Sequence, residues 1–283
     1  MARCKYCGRY AGFWKKFHPE CQERHDRASA QIPLFFPKFF QSDLPIDRFT
    51  ELLRGAAEGS FVRRKELTEL AALGLSNVVK QILDQRLLTA AEIQRVRDVA
   101  RSLKPRTLTR DIVPHETFAK VDVLQALGEG KVPDLVSVAG PMPIELGQGE
   151  TVIWIFNYVS SFREPAEAEK PPAGGEVAPV PLTLQAGAYY GPSAFQSAIL
   201  PATRVPQDAD GDMVVTDRNV FYLTRTAQPR RIAIAQITAL SAYSNGIHIV
   251  CDASIPDRVQ TFGLEDAWFA ANLLIRLVQI ARR

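Results

Sequence analysis

Four residues near the N-terminus carry metal chemistry. Cys4 and Cys7 are separated by two residues, and so are His18 and Cys21, with a ten-residue gap between the pairs. Thiolate and imidazole are soft or borderline donors, and two such pairs supply the four ligands of a tetrahedral zinc. Four protein ligands leave no open position for water or substrate. The spacing therefore predicts a structural zinc on Cys4, Cys7, His18 and Cys21, with His25 as the substitute ligand to weigh.

The surrounding residues suit elements that would hold this site. Gly8 follows Cys7, where a tight turn can aim backbone N–H groups at sulfur. Gly12, Phe13 and Trp14 suit a short hairpin whose aromatics cover the metal. Pro19 fits the first position of a helix, and Glu20, Glu23 and Asp26 suit its positive N-terminal end. That puts His18 just before the helix and Cys21 in its first turn. A knuckle followed by a ligand pair at a helix N-terminus resembles a treble-clef zinc finger over residues 1–28. This segment also carries seven basic side chains, Arg3, Lys5, Arg9, Lys15, Lys16, Arg24 and Arg27, against three acidic ones. Aromatic residues are interleaved with them, a composition that can hold phosphate and stack bases. Arg3, Lys5, Arg9, Trp14, Lys15 and Lys16 are the candidate nucleic-acid contacts.

The chain is long enough for two or three domains. It has 283 residues with a net charge of +3, too small to mark a polymer-binding protein by itself. Three of the four cysteines belong to the metal motif and the fourth, Cys251, lies in an apolar stretch. That is not a disulfide framework, and it suits a reducing compartment. The N-terminus has no apolar leader region and no run is long enough for a membrane helix, so a cytoplasmic protein is expected.

Residues 29–44, with Ile32-Pro33-Leu34-Phe35-Phe36-Pro37-Lys38-Phe39-Phe40, read as an aromatic linker that docks onto the domain that follows. Helical periodicity then covers residues 45–135. Phe49, Leu52, Leu53, Ala56 and Ala57 line a first helix. Leu67, Leu70 and Ala71 mark a second, stopping at Gly74, and Ser76 caps a third with Val78, Val79, Ile82 and Leu83. Thr89 to Glu92 form a capping box that opens a fourth, through Ile93, Val96, Val99, Ala100 and Leu103. A fifth carries Phe118, Val121, Leu124 and Leu127. Short connections predict antiparallel packing. The run Ile82 to Glu92 resembles the helix junction of tellurite-resistance TerB-type and EF-hand-like helical domains. Gln85 stands where their glycine would be. A calcium loop from Asp84 would place Arg95 at its bidentate position, so no calcium is expected there.

Period-two alternation dominates residues 141–283. Strands are expected at 151–159, 182–190, 194–200, 213–216, 220–224, 231–235, 237–243, 247–251 and 259–262, with a Pro- and Gly-rich flexible loop at 163–181. Ser244-Asn245-Gly246 is a hairpin signal. A closing helix spans about 264–281. The hairpin Gly211 to Thr216 with Asn219 to Tyr222, the Ile234 to Ile237 stretch, the Ser244 to Ile247 turn and Trp268 resemble a bacterial pleckstrin-homology-like (PH-like) domain. The chain is also similar to bacterial multidomain proteins that join such a domain to a helical middle. The resemblance implies an α+β multidomain protein whose antiparallel β-barrel is capped by the last helix. On that helix Leu264, Trp268, Ala271, Ile275 and Val278 would cap the barrel. Phe269, Leu273, Leu277 and Ile280 form a second apolar face, expected against the helical middle or against a second copy in a homodimer.

Other constellations lack the residues that chemistry requires. Asp208 to Asp212 begins like a calcium loop but reaches Asn219 where a glutamate belongs. His248 and Cys251 fall on opposite faces of one strand. Gly147-Gln148-Gly149 lacks the rest of a phosphate loop. The expected function is thus a non-enzymatic, zinc-binding adaptor or regulatory protein that recognises a protein partner. The alternatives are nucleic-acid binding by the basic zinc module, or lipid binding at a membrane surface through the PH-like domain, although no phosphoinositide-type basic loop stands out around Lys170.

Overall fold

In the computed structural model, the described residues are 2–12, 15–103, 115–133, 143–162, 178–200, 206–224, 228–254 and 258–283. They divide into two compact units, Met1–Leu83 with Leu87–Phe118, and Asp84–Arg86 with Ala119–Arg283. No helix among the described residues is long and apolar enough to cross a membrane.

The first unit opens with strands β1 (Ala2–Arg3) and β2 (Tyr10–Gly12), paired antiparallel. Helix α1 (Pro19–Gln31) follows, with His18 at its N-cap and Pro19 in its first turn, as the sequence predicts. The aromatic stretch is itself helical: a 3-10 turn at Ile32–Leu34 leads into α2 (Phe35–Phe40). Ile32, Phe36 and Phe39 are buried there. Phe36 meets Phe49 edge-on at 5.1 Å between ring centroids, and Phe39 stacks on Phe49 at 4.0 Å. Phe49 belongs to α3 (Ile46–Glu58), whose Leu53 and Ala57 are also buried. Leu52, expected on the same face, is 63% exposed.

Helix α4 (Arg64–Leu83) replaces the two helices expected around Gly74. A lone glycine weakens a helix by only about 1 kcal/mol, less than packing can restore. Here Gly74 is buried against Phe36, and a Cβ on it would lie 2.3 Å from that ring. The glycine is a seat for an aromatic ring, not a stop. Helix α5 (Ala90–Leu103) starts with the capping box. The backbone N–H of Thr89 donates to the Glu92 carboxylate at 2.8 Å, and the Glu92 N–H donates to Thr89 Oγ1 at 3.2 Å. Arg95 on α5 donates from Nη2 to the carbonyls of Phe39, Ser42 and Leu44 at 3.2, 2.8 and 3.3 Å. Its guanidinium also lies 4.4 Å from the Phe39 ring centre. This one arginine thereby adds a donor to three carbonyls at and just after the end of α2, of which that of Phe39 also accepts from the Ser42 N–H and hydroxyl. Helix α6 (His115–Gly128), of which all but its first four residues belong to the second unit, buries Phe118, Val121, Leu124 and Leu127 as expected.

The second unit holds strands β3 (Val152–Phe162), β4 (Val180–Leu182), β5 (Pro206–Thr216), β6 (Asn219–Leu223), β7 (Arg230–Ala233), β8 (Ile237–Tyr243), β9 (Gly246–Cys251) and β10 (Val259–Gly263). They form one antiparallel sheet in the order β4-β8-β9-β10-β3-β5-β6-β7. It does not close into the barrel that the PH-like resemblance implies. The stretches 182–190 and 194–200, expected as strands, are instead irregular, apart from the end of β4 at Leu182 and a 3-10 turn at Pro192–Phe195, so strands that could close the sheet are missing. A long-range pair of hydrogen bonds holds this stretch instead. Asn272 is buried, accepts from the Tyr190 N–H at 3.1 Å, and donates to the Tyr190 carbonyl at 2.8 Å. One side-chain amide supplies the two hydrogen bonds a neighbouring strand would have given. The edges are three and four residues long, and Pro181 removes a donor from β4, which limits edge-to-edge pairing.

Closing helix α7 (Ala267–Ala281) has Phe269, Leu273, Leu277, Ile275 and Val278 fully buried. Phe269 meets Trp154 and Phe156 of β3 at 4.7 and 5.8 Å between centroids. Of the face expected against the helical middle or a second copy, Phe269, Leu273 and Leu277 are buried within the chain and Ile280 is half-buried. The hairpin β8–β9 turns at Ser244 and Asn245, one residue earlier than the Asn-Gly signal suggests. Gly246 is needed as the first residue of β9, where a Cβ would approach the Phe262 carbonyl to 2.6 Å. Of the predicted loop 163–181, residues 163–177 lie outside the described residues.

The two helical glycines make opposite predictions. Gly74→Ala should destabilise the protein by about 1–3 kcal/mol, because overpacking against Phe36 exceeds the gain in helix propensity. Gly55 in α3 is exposed with nothing within 4 Å of its added Cβ. Gly55→Ala should therefore stabilise by about 0.5–1 kcal/mol. Urea denaturation of both variants checks the pair.

Candidate metal centre

The hairpin β1–β2 turns through the first ligand pair. The Cys4 N–H donates to the Arg9 carbonyl at 2.8 Å, and the Gly8 N–H donates to the Cys4 carbonyl at 3.0 Å. Gly8 adopts φ +74°, a left-handed conformation that favours glycine. The knuckle itself is therefore the hairpin turn, whereas Gly12, expected in that role, ends β2. Phe13 and Trp14, expected as a cover for the metal, lie outside the described residues. The second ligand pair is delivered by the start of α1. A backbone bond from Lys5 N–H to the Lys16 carbonyl, at 2.9 Å, ties the two halves together.

The ligand atoms of Cys4, Cys7, His18 and Cys21 all lie within 4.8 Å of one another. His18 Nδ1 stands 3.4 Å from Cys7 Sγ and 3.7 Å from Cys21 Sγ. Zinc bonds of about 2.3 Å to sulfur and 2.0–2.1 Å to nitrogen give a tetrahedron with sulfur–nitrogen edges of about 3.6 Å. The two distances match that edge. All the cysteines are free thiols.

The imidazole is in the tautomer a metal requires. Its Nε2 lies 2.8 Å from the Tyr10 carbonyl, which can only accept, so Nε2 carries the proton and Nδ1 presents its lone pair to the sulfurs. The backbone N–H of His18 donates to Cys4 Sγ at 3.4 Å. Burial raises the Cys4 thiol, but backbone N–H groups of Cys7, His18 and Tyr6 outweigh it and bring the pKa down to about 6. Burial, then hydrogen bonds and like charge from Cys7 and Cys4, push Cys21 up to about 11. The Tyr10 carbonyl, then the Cys7 sulfur, hold His18 above the usual imidazole range. The cluster thus has one thiol already poised as thiolate and another that sheds its proton only to a cation.

His25 is not a ligand. Its Nδ1 contacts Asp26 at 3.0 Å and its Nε2 contacts Glu66 of α4 at 2.9 Å, so both ring nitrogens are engaged elsewhere. The Tyr6 ring, between the knuckle cysteines, lies over His25 at 4.7 Å. Phe17 and Phe61 flank Tyr6 at 6.3 and 6.4 Å. This small aromatic cluster and the His25–Glu66 tie join the metal hairpin to the helices of the first unit.

Arg3, Lys5, Arg9, Lys15 and Lys16, the predicted basic contacts, are all exposed. Lys5 rests over Tyr6 and Phe17 at 4.5 and 5.3 Å. Beside the ligands runs a groove of about 750 Å³ lined by Cys7, Arg9, Tyr10, His18, Pro19, Glu20, Cys21, Arg24 and Phe61. Arg24 and Phe61 were not among the predicted contacts. Helical spacing offers a signal for Arg24, which lies three residues after Cys21 and so on the same side of α1. Phe61 arrives from a distant turn, and local sequence has no signal for it.

The His25 tie makes a pH prediction. Burial disfavours its charged form, but Asp26 and Glu66 outweigh this and raise its pKa. A raised pKa stabilises the fold below the unfolded value, and that stability is lost as pH rises through the folded value. Wild type should therefore exceed Glu66→Gln in stability most below the usual imidazole value of about 6.5, with the gap closing as pH rises above it. Denaturation on both sides of that value measures it.

Comparison with protein-family models, with curated proteins and with solved structures yields no match, so the metal centre is interpreted from its own geometry.

Proposed function

We propose that Cys4, Cys7, His18 and Cys21 hold one structural zinc in a treble-clef-type finger, and that the chain is a non-enzymatic recognition protein. The observation that carries this reading is the match between the sulfur–nitrogen distances, 3.4 and 3.7 Å, and the edges of a zinc tetrahedron. Three thiols and one imidazole favour zinc over the harder cations, which prefer oxygen. A site with four protein ligands offers no position for substrate, so zinc here would supply folding energy rather than chemistry. The tie through His25 and the Tyr6 cluster supports this role, because it passes the order of the metal site into the helices.

In this reading the second unit is a platform for a protein partner. Four reduced cysteines suit the cytoplasm. Metal analysis of the native protein should give one zinc per chain. Cys7→Ser should lower that content severalfold. Cys251→Ser should leave it unchanged, since Cys251 is buried in β9, apart from the cluster. A folded native protein without metal would refute the site.

A further inference from the structure

Several cations of the first unit sit in ion pairs. Arg27 pairs with Glu23, Arg48 with Glu51 and Arg101 with Asp98. By contrast, the side chains of Arg3, Arg9, Lys15, Lys16 and Arg24 form no ion pair or hydrogen bond with another described residue. Uncompensated cations on a small module repel one another unless an anion is bound, and an extended polyanion suits a row of them best.

Two of these cations, Arg9 and Arg24, line the groove beside the ligands together with two aromatic rings. Tyr10 is 52% exposed, although its own backbone carbonyl is committed to His18. Phe61 has φ +63°, a left-handed conformation that bulky residues rarely adopt, and there it lines the same groove. Arginines that can reach phosphate, next to an exposed ring, are the elements that hold single strands. Every base has a face to stack, whereas duplex bases are already stacked on each other. Glu20 is the single acidic side chain of the groove and would oppose phosphate.

We propose that this groove binds single-stranded nucleic acid, with phosphates on Arg9 and Arg24 and a base stacked on Tyr10. The inference rests on the zinc reading above, because the ligands form the groove's floor. It goes beyond that reading by naming a polyanion, rather than a protein, as the partner of this module. No base-specific contact is implied, so the strand is bound with little regard to sequence.

The test uses the full chain, with its zinc content measured in every sample, and fluorescent oligothymidylate and oligouridylate of about 12 nucleotides. Binding should weaken steeply with salt. The double variant Arg9→Ala/Arg24→Ala should weaken it at least about tenfold and flatten the slope of log K against log salt by about 1.4, or 0.7 per lost phosphate contact. Tyr10→Ala should weaken it about tenfold, with Tyr10→Trp retaining affinity. Glu20→Gln should tighten it, and Arg48→Ala, on α3, should change nothing. Zinc-loaded protein that binds neither oligonucleotide overturns the inference and leaves the zinc reading standing. So does equal binding to a duplex of the same length, or binding that competes equally with polyglutamate and ignores the Arg9/Arg24 change. A native chain without zinc overturns the zinc reading and the groove with it.

Discussion

Three thiol sulfurs and an imidazole nitrogen within 4.8 Å of one another form an arrangement that needs a cation. As thiolates they repel, and the opposed shifts of Cys4 and Cys21 record that strain: one sheds its proton readily and the other keeps it. The rest of the N-terminal region is built to hold that arrangement. The knuckle turn at Gly8, the Tyr10 carbonyl on His18 and the start of α1 each fix one part of it. A hairpin of this size has almost no apolar core of its own, and a bound metal would stabilise so small a module.

The same logic runs in the opposite direction in the second unit. There the order comes from apolar burial around α7, whose residues are buried on nearly every side. Two of its buried polar side chains have specific partners. Lys120, only 6% exposed, donates to Asp266 at 2.8 Å, and Asn272 stands in for a strand beside Tyr190. Each of these two fixes one loop or helix end, because leaving it unpaired would cost about 1–3 kcal/mol. The chain thus combines a module built around a candidate metal site with one ordered by packing.

Much of this was legible in local sequence. The cysteine spacing located the ligand set, Pro19 located the start of α1, and Thr89 with Glu92 located the start of α5. The β5–β6, β6–β7 and β8–β9 pairs followed from alternation and turn residues. What local sequence concealed depends on contacts between distant residues. Gly74 reads as a helix stop until Phe36, 38 positions earlier, is placed against it. Residues 183–200 alternate like strands, yet Asn272 captures Tyr190 from 82 positions away. His25 looks like a spare ligand until Glu66 takes it, 41 positions on. Barrel closure failed for the same reason, since it required strands from a stretch that this long-range hydrogen bonding holds in another conformation.

X-ray absorption at the zinc edge on the purified, folded protein tests the central claim most directly. The account predicts one shell of three sulfurs at about 2.3 Å and one nitrogen at about 2.0–2.1 Å, in four-coordinate geometry. A five- or six-coordinate site rich in oxygen, or a metal site lacking the His18 nitrogen, would contradict it.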